Sequence, residues 1–250
     1  LGGLSAPWGV DVGPYDSLFV AESGTGNIVK LWYGEQRIVA TTQPGITDVG
    51  FDSWWAVSHL VGAPQEPSGT GNTLGRAYLN GVVSAESDIG AFERANNPDQ
   101  HQTYGLVDTP SNCAVPPELA AYCGRVDSNA YGLLALDDGT RYVADAAAND
   151  ILRVGWDGAV SLVAVLPPVE KRLPAELQTD TGSILVPDCL VGARYLAEPV
   201  PTAVVQGPDG WLYVSGLTGS PELPGTGVVF RVNPWNGQAE VWQDGLTSAV

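Results

Sequence analysis

The fold is decided by residues 130–145, AYGLLALDDGTRYVAD, and by residues 149–154, NDILRV, which follow after a short polar loop. Apolar, β-branched and aromatic residues dominate each run, as they do in strands. Asp138 and Gly139 supply the positive φ that a tight hairpin needs. A further run at residues 159–164, AVSLVA, completes the pattern. These residues predict four consecutive antiparallel strands joined by short turns.

The same pattern recurs along the chain. One copy spans residues 6–31 and another spans residues 200–232, each followed by a turn and a fourth strand. A weaker copy opens at residues 45–51 and continues into residues 54–57, WWAV. A four-stranded sheet of about 40 residues cannot cover both of its faces alone, so such units bury them by stacking radially. The sequence therefore predicts an all-β protein, a β-propeller with four visible blades of four antiparallel strands. An ordinary β-sandwich with similar hairpins is the alternative.

Two longer segments, residues 62–127 and 167–199, interrupt the repeat. We interpret them as insertions into a single propeller domain that spans residues 1–250. Short helices are expected in the first insertion, one beginning at Ser84 and one at Pro117. Structured insertions on a regular scaffold commonly carry specificity, so both segments are candidates for recognition.

The two ends of the chain lead to further expectations. Residues 244–250, DGLTSAV, are similar to residues 43–49, QPGITDV, which open the second unit. The sequence thus stops within the first strand of another blade, and a C-terminally incomplete ring is expected. The chain starts at Leu1 and contains no Met, which favours a processed product whose signal peptide has been removed.

Composition limits the class of partner. The chain has 250 residues, a net charge of −17 and 44% hydrophobic residues, enough to bury a core. Such an acidic surface repels phosphate, so nucleic acid is a poor partner candidate. No apolar run of about 18 residues occurs, so no membrane span is predicted. Only 16% of the residues are charged, and the chain has 8 Trp and 9 Tyr. This composition favours an extracellular or periplasmic protein.

Three cysteines bear on the same question. Cys113 and Cys123 are close in sequence and flank a segment rich in Ala and Pro, so a local disulfide between them is predicted for an oxidising compartment. Cys189 lies in the second insertion and could pair with either of them or remain free. Three buried thiols are the alternative.

Several stretches resemble the ScyD/ScyE family, whose name comes from exported proteins of a cyanobacterial sunscreen-pigment pathway. The match runs over nearly the whole chain, and its most distinctive part lies between residues 127 and 153. The resemblance implies an exported, NHL-like propeller of six blades. Ala130 departs from the family pattern, where Pro is expected, and roughly two blades are missing. The stretches that carry the resemblance are 92–99 (FERANNPD), 127–135 (DSNAYGLLA), 143–153 (VADAAANDILR), 200–214 (VPTAVVQGPDGWLYV) and 215–219 (SGLTG).

Candidate ligand-binding residues lie near the predicted inner strands. His59 could act as a base or ligand, although a hydrogen-bonded structural role is the commoner one. Aromatic side chains could form a stacking floor, although packing between blades is again the commoner role. The ligand-binding prediction comprises Trp54, His59, Asp127, Asn129 and Tyr131.

Carboxylates recur at equivalent positions of the units. Asp48 and Asp127 stand where inner strands begin, and acids lining an axial channel could hold a hard cation such as Ca²⁺. Glu22 and Asp145 share another position in their units. The alternative is that each acid caps its own turn.

Function is less determined than fold. The leading hypothesis is a secreted, non-catalytic propeller that binds a protein partner, or another copy of itself, through its insertions. One alternative is a Ca²⁺-dependent, lactonase-like hydrolase that uses Asp48, His59, Asp127 and Asn129, which is an analogy with the fold alone. Another is an accessory role in pigment biosynthesis, which rests on the resemblance. No Gly-x-Ser-x-Gly nucleophile elbow and no phosphate-binding loop occur in the sequence.

Overall fold

A computed structural model describes residues 2–53, 55–62, 71–179, 182–220 and 224–249. The described residues form five four-stranded sheets and one two-stranded hairpin. The first two sheets use successive strands: β1 (Pro7–Val12), β2 (Leu18–Glu22), β3 (Asn27–Trp32), β4 (Glu35–Thr41), β5 (Ile46–Ser53), β6 (Ala56–Val61), β7 (Thr73–Tyr78) and β8 (Val83–Asp88).

A helix and two short strands come next, followed by the third sheet: α1 (Ile89–Asn96), β9 (Thr103–Leu106), β10 (Tyr122–Cys123), β11 (Ala130–Ala135), β12 (Arg141–Asp145), β13 (Asp150–Val154) and β14 (Val160–Val165). The rest of the chain forms β15 (Val169–Arg172), β16 (Glu176–Thr179), β17 (Gly182–Leu185), β18 (Arg194–Ala197), β19 (Pro201–Gln206), β20 (Leu212–Gly216), β21 (Gly227–Val232) and β22 (Ala239–Leu246). Within the described part of the chain, no helix has the length and hydropathy needed to cross a membrane.

Four of the sheets are the predicted repeats, which we call blades 1 to 4: β1–β4, β5–β8, β11–β14 and β19–β22. In blade 3 the hairpin forms at the predicted turn, since Ala135 pairs with Arg141 and Gly139 takes a φ of 82° between them. An L-residue with a side chain rarely adopts that φ, which explains the glycine. The strands and the turn that the sequence predicts for blade 3 are therefore present in the structure.

The blades stack around a common hub. Their first strands, β1, β5, β11 and β19, contact one another in chain order. Asp11 accepts a hydrogen bond from Phe51 N at 2.7 Å, which ties blade 1 to blade 2. Gly132 lies so close to blade 4 that a Cβ at this position would stand 2.7 Å from the carbonyl oxygen of Thr202. This radial order confirms the predicted β-propeller.

Apolar cores lie between neighbouring blades. Phe19 of blade 1 and Ile46 of blade 2 belong to one cluster, and Ile151 of blade 3 shares another with Phe230 of blade 4. All four side chains are fully buried. Each blade thus covers a face of the next, which is why an isolated blade would expose apolar surface to water.

The two outer flanks of the series are uncovered. Val10 and Val12 on β1 are 59% and 64% exposed, and Val205 on β19 is 58% exposed. Membership of these blades in a larger ring, and the number of blades in it, remain predictions.

The first insertion begins later than the sequence suggested. Residues 73–88 form β7 and β8, which complete blade 2, so the helix predicted to begin at Ser84 is wrong at its start. Helix α1 begins after Asp88, whose side chain accepts a hydrogen bond from Ala91 N at 2.7 Å. The outer strand β8 has a polar sequence, VSAESD, and its pattern does not distinguish a strand from the first turn of a helix.

The two insertions fold together into a fifth sheet, which we call the cap. Its strand order is β10-β9-β18-β15, so the first insertion supplies two strands and the second insertion supplies the other two. The cap encloses an apolar cluster that includes Leu106, Leu190 and Tyr195. Lys171 donates to the carbonyl oxygen of Gly219 at 3.2 Å and thereby attaches the cap to blade 4. What the sequence presents as two separate loops is one structural unit.

The predicted disulfide between Cys113 and Cys123 is wrong. Cys113 is bonded to Cys189, with a Cα–Cα distance of 6.0 Å, and Cys123 is an exposed free thiol. Cys123 lies on β10, where it pairs with Thr103, whereas Cys113 packs against the apolar cluster of the cap. Pairing of the two insertions brings Cys189 to Cys113, although 76 residues separate them in sequence.

Candidate functional site

One cavity lies between the cap and blade 3. Its volume is about 540 Å³, within the range of small-ligand sites. We call it the cap cavity. The first insertion, the loop between β12 and β13, and the residue that follows β18 contribute to its walls. The lining residues are Pro117, Glu118, Ala120, Ala121, Tyr122, Arg125, Asp127, Ala147 and Glu198.

The cavity is acidic on balance. Three carboxyl groups, from Glu118, Asp127 and Glu198, face one guanidinium, from Arg125. Arg125 stacks over the ring of Tyr122 at 5.1 Å, so part of its charge is engaged with an aromatic face. A cavity with this balance attracts cations.

Burial alters the carboxyl groups of the cavity. The pKa of Glu198 is raised because burial disfavours its charge, although a hydrogen bond from Tyr122 lowers it in part. The pKa of Asp127 is also raised by burial, against a hydrogen bond from Ser128 N. Both groups are therefore incompletely solvated, and a bound cation would stabilise their ionised form.

Among the predicted site residues that the structure describes, only Asp127 lines the cap cavity. Tyr131 lies instead at the hub, where its hydroxyl accepts a hydrogen bond from Trp8 Nε1 at 2.7 Å across the inner strands of blades 1 and 3. Asn129 donates its backbone N–H to Asp145 at 2.7 Å at the start of β11. Trp54 lies outside the described residues. The structure thus disperses the predicted ligand set.

Asp48 connects blades 2 and 3. Its carboxylate accepts hydrogen bonds from Leu133 N at 2.8 Å and Val49 N at 2.8 Å. Burial raises its pKa to about 7, with a smaller contribution from the charge of Asp11. Asp48 is absent from the lining of the cap cavity, so the structure does not bring it to Asp127 there. No group of three or more His, Cys, Asp or Glu residues in the described ranges could hold a metal ion.

Glu22 and Asp145 each cap a turn, which is the alternative to cation binding for the repeated acids. Glu22 accepts hydrogen bonds from Ser5 N at 2.9 Å and from the hydroxyl of Thr25 at 2.7 Å. Asp145 accepts from Ala147 N at 3.3 Å and Ala148 N at 3.2 Å in the loop between β12 and β13. Their equivalent positions follow from equivalent turns.

His59 occupies a separate cavity of about 310 Å³ between blades 1 and 2. Its side chain is 4% exposed, and its Nδ1 has no hydrogen-bond partner among the described residues. Burial lowers its pKa to about 4. No carboxyl group lines this cavity within the described part of the chain, so nothing there would hold a proton on the imidazole at neutral pH.

This burial predicts an acid-dependent loss of stability. The unfolded chain binds a proton at His59 near pH 6.5, whereas the folded chain does so only near pH 4. The free energy of unfolding should therefore fall as pH decreases through this window, by about 3 kcal/mol in full, and should not change above pH 7 for this reason. Urea unfolding of the wild type and of His59→Asn at pH 7 and pH 4.5 measures the effect. The difference between the two proteins should shrink by about 2 kcal/mol at the lower pH, and an unchanged difference would show that His59 is not buried as a neutral group.

The sequence did not indicate Tyr122, Arg125 or Glu198 as site residues. They belong to two insertions without a repeat, and nothing local shows that these segments meet. Tyr122 lies on the cap strand β10, Arg125 follows that strand and Glu198 follows the cap strand β18, so no repeated position links them.

Comparisons with known proteins support the architecture. No protein-family model matches this sequence, and no curated protein is similar to it at a significant level. Among solved structures, virginiamycin B lyase from Staphylococcus aureus aligns with a TM-score of 0.53 and 14% identity, covering 98% of this chain and 58% of that one. A nidogen/laminin complex aligns with a TM-score of 0.50 and 13% identity, covering 92% of this chain and 63% of that one.

The fold is that of a β-propeller. At these identities the likeness concerns the fold alone. This chain spans less than two thirds of the length of either propeller structure. The more specific resemblance to the ScyD/ScyE family therefore remains a prediction.

Proposed function

We propose that this protein is a non-catalytic binding propeller, and that its cap cavity takes a basic side chain of a partner protein. The observation that carries the proposal is the acidic cavity between blade 3 and the cap, where Glu118, Asp127 and Glu198 surround a space of about 540 Å³. A lysine or arginine side chain fits both the charge and the volume. The apolar walls, including Pro117 and Ala147, suit the aliphatic stem of such a side chain.

The disulfide supports a place outside the cytoplasm. Cys113–Cys189 joins the two insertions that form the cavity walls. Disulfides form and persist in oxidising compartments, so we place the protein in an extracellular or periplasmic setting. An oxidised cap would keep its two halves together and hold the cavity in shape for binding.

The separation of the hydrolase candidates supports binding over catalysis. Asp48 is engaged with two backbone N–H groups, His59 lies between blades 1 and 2, and Asp127 lies in the cap cavity. A general base and a polarised substrate must meet within hydrogen-bond reach. Their dispersal leaves the acidic cavity as the best-supported site.

The test is a calorimetric titration with three blocked tripeptides that carry lysine, norleucine or glutamate at the centre. The lysine peptide should bind saturably, while the norleucine and glutamate peptides should not. Glu198→Gln should weaken binding by about 10-fold, because a hydrogen bond between charged groups contributes roughly 1.5–3 kcal/mol.

The matched control is Glu35→Gln, which removes one charge from the exposed strand β4 and should leave binding unchanged. Equal affinity for the lysine and norleucine peptides, or wild-type affinity in Glu198→Gln, would overturn the proposal. Hydrolysis of lactones by the purified protein would favour the enzyme alternative instead.

A further inference from the structure

Four carboxyl groups are buried beside the cap cavity, where helix α1 and the residues that follow it meet the ends of β12 and β13. Glu93 and Asp99 are each 1% exposed, and Asp145 and Asp150 are completely buried. Asp145 and Asp150 stand directly opposite each other on β12 and β13. Like charges at such a position repel one another, so the arrangement requires compensation.

Hydrogen bonds connect this group of acids. Asn97, with its amide oriented to satisfy its neighbours, donates to Asp99 Oδ1 at 3.1 Å and to Glu93 Oε1 at 3.3 Å. Asn149 donates to Asp99 Oδ2 at 3.1 Å and precedes Asp150 in the chain. The acids thus form one continuous cluster.

Two members of the cluster have their donors. Asp99 accepts from Tyr104 at 3.1 Å in addition to the two asparagines. Asp145 accepts from the hydroxyl of Ser128 and from three backbone N–H groups, those of Asn129, Ala147 and Ala148. These two carboxylates are stabilised by the protein itself.

The other two members are satisfied only in part or not at all. Neither carboxyl oxygen of Asp150 has a hydrogen-bond partner among the described residues, and Oε2 of Glu93 has none either. Three buried carboxyl oxygens therefore lack a partner. An ionised carboxylate removed from water without a donor or a counter-charge is strongly unfavourable.

The charges that act on Asp150 are all negative. Burial together with Asp145, Glu93 and Asp99 raises its pKa well above the ordinary value of a carboxyl. Burial, together with the negative charges of Asp145 and Asp99, raises the pKa of Glu93 to about 8. Arg141, on β12 of the same sheet, and Arg76, on β7 of blade 2, are already paired with Glu86. To remain ionised at neutral pH, Asp150 and Glu93 would need a counter-charge that neither of these arginines supplies.

We propose that a hard divalent cation, with Ca²⁺ as the first candidate, binds between Asp150 and Glu93 through their three unpartnered oxygens. Two carboxylates balance two positive charges, and oxygen ligands are those that Ca²⁺ prefers. Water would complete the coordination, since no group of three or more described Asp, Glu, His or Cys residues is arranged for a metal. This site is separate from the cap cavity and does not depend on the proposed partner.

The proposed site adjoins residues that line the cap cavity. Asp127 lines that cavity and donates its backbone N–H to Glu93. Ala147, also in the lining, belongs to the loop that leads into Asp150.

The test is a thermal unfolding series on the full chain at pH 7.5, first with EDTA and then with CaCl₂ from 0.01 to 10 mM. The wild type should gain about 5 °C in Tm in a saturable manner, because an ion that binds only the folded chain stabilises it. Asp150→Asn should lose this response, and without Ca²⁺ it should unfold no lower than the wild type, since it removes an uncompensated buried charge.

Asp244→Asn is the matched control, because Asp244 is an exposed acid on β22, and it should keep the full Ca²⁺ response. Glu198→Gln should also keep it, which separates this site from the cap cavity. Should Asp150→Asn fail to fold, Glu93→Gln and terbium emission sensitised by the aromatic side chains, competed with Ca²⁺, provide the second measurement. An absent Ca²⁺ response in the wild type, or a full response in Asp150→Asn or Glu93→Gln, would overturn the proposal.

Discussion

Cys113→Ser is expected to lower the free energy of unfolding by about 4 kcal/mol. The disulfide to Cys189 closes a loop of 76 residues, and such a cross-link restricts the unfolded chain more strongly the longer the loop is. The cap should open before the blades, because its apolar cluster is separate from the clusters between the blades. Urea unfolding followed by fluorescence and by circular dichroism measures both the loss and its order.

Cys123→Ser is the matched control for this prediction. Cys123 is exposed and free, so its replacement should change the free energy of unfolding by less than about 0.5 kcal/mol. Equal destabilisation by both variants would mean that Cys113 and Cys123 are partners in solution and that the cap is assembled differently.

Glu86→Ala should cost about 3 kcal/mol. Glu86 on β8 joins Arg76 at 3.0 Å and Arg141 at 2.8 Å, and the side chain of Arg141 is completely buried on β12 of the next blade. Removing the carboxylate leaves a guanidinium without its counter-charge inside the interface between blades 2 and 3. Breaking one side of a buried ion pair is more damaging than replacing the whole pair.

The control for Glu86→Ala is Glu35→Ala on the exposed strand β4, which should unfold like the wild type. The double variant Glu86→Leu/Arg141→Met should recover much of the stability lost in Glu86→Ala, because both charges are gone. If Glu86→Ala is as stable as the wild type in urea, the two blades do not pack through this ion pair.

The blades could be predicted because their signals are local. Asp138 and Gly139 set a hairpin, and the apolar runs on each side have the period of strands. Four copies of this arrangement leave few architectures that bury every face. The sequence patterns of β11 and β12 therefore lead directly to the observed pairing of Leu134 with Tyr142.

The cap could not be predicted because its contacts are distant in sequence. β9 and β18 pair through Leu106 and Tyr195, which belong to different insertions, and each strand has four residues. Such short strands carry almost no periodicity. The proximity of Cys113 and Cys123 in sequence pointed to a local disulfide, while the fold brings Cys189 to Cys113 instead.

The candidate site was predicted only through Asp127. The repeat pattern identified acids where inner strands begin, and one of them, Asp127, lines the cap cavity. Glu198 and Tyr122 complete the site because the cap folds over blade 3. Similarly, Asp150 was overlooked because an acid at the start of a strand is unremarkable until its burial opposite Asp145 is known.

The joining of two insertions into one cap is tested most directly by mapping the disulfide in the intact protein. After free thiols are blocked at low pH, trypsin cleaves after Arg94, Arg125, Arg172 and Arg194 and releases residues 95–125 and 173–194. Mass spectrometry without reduction should find these two peptides linked, with the blocking group on Cys123. An internal disulfide within residues 95–125, with the blocking group on Cys189, would contradict the cap.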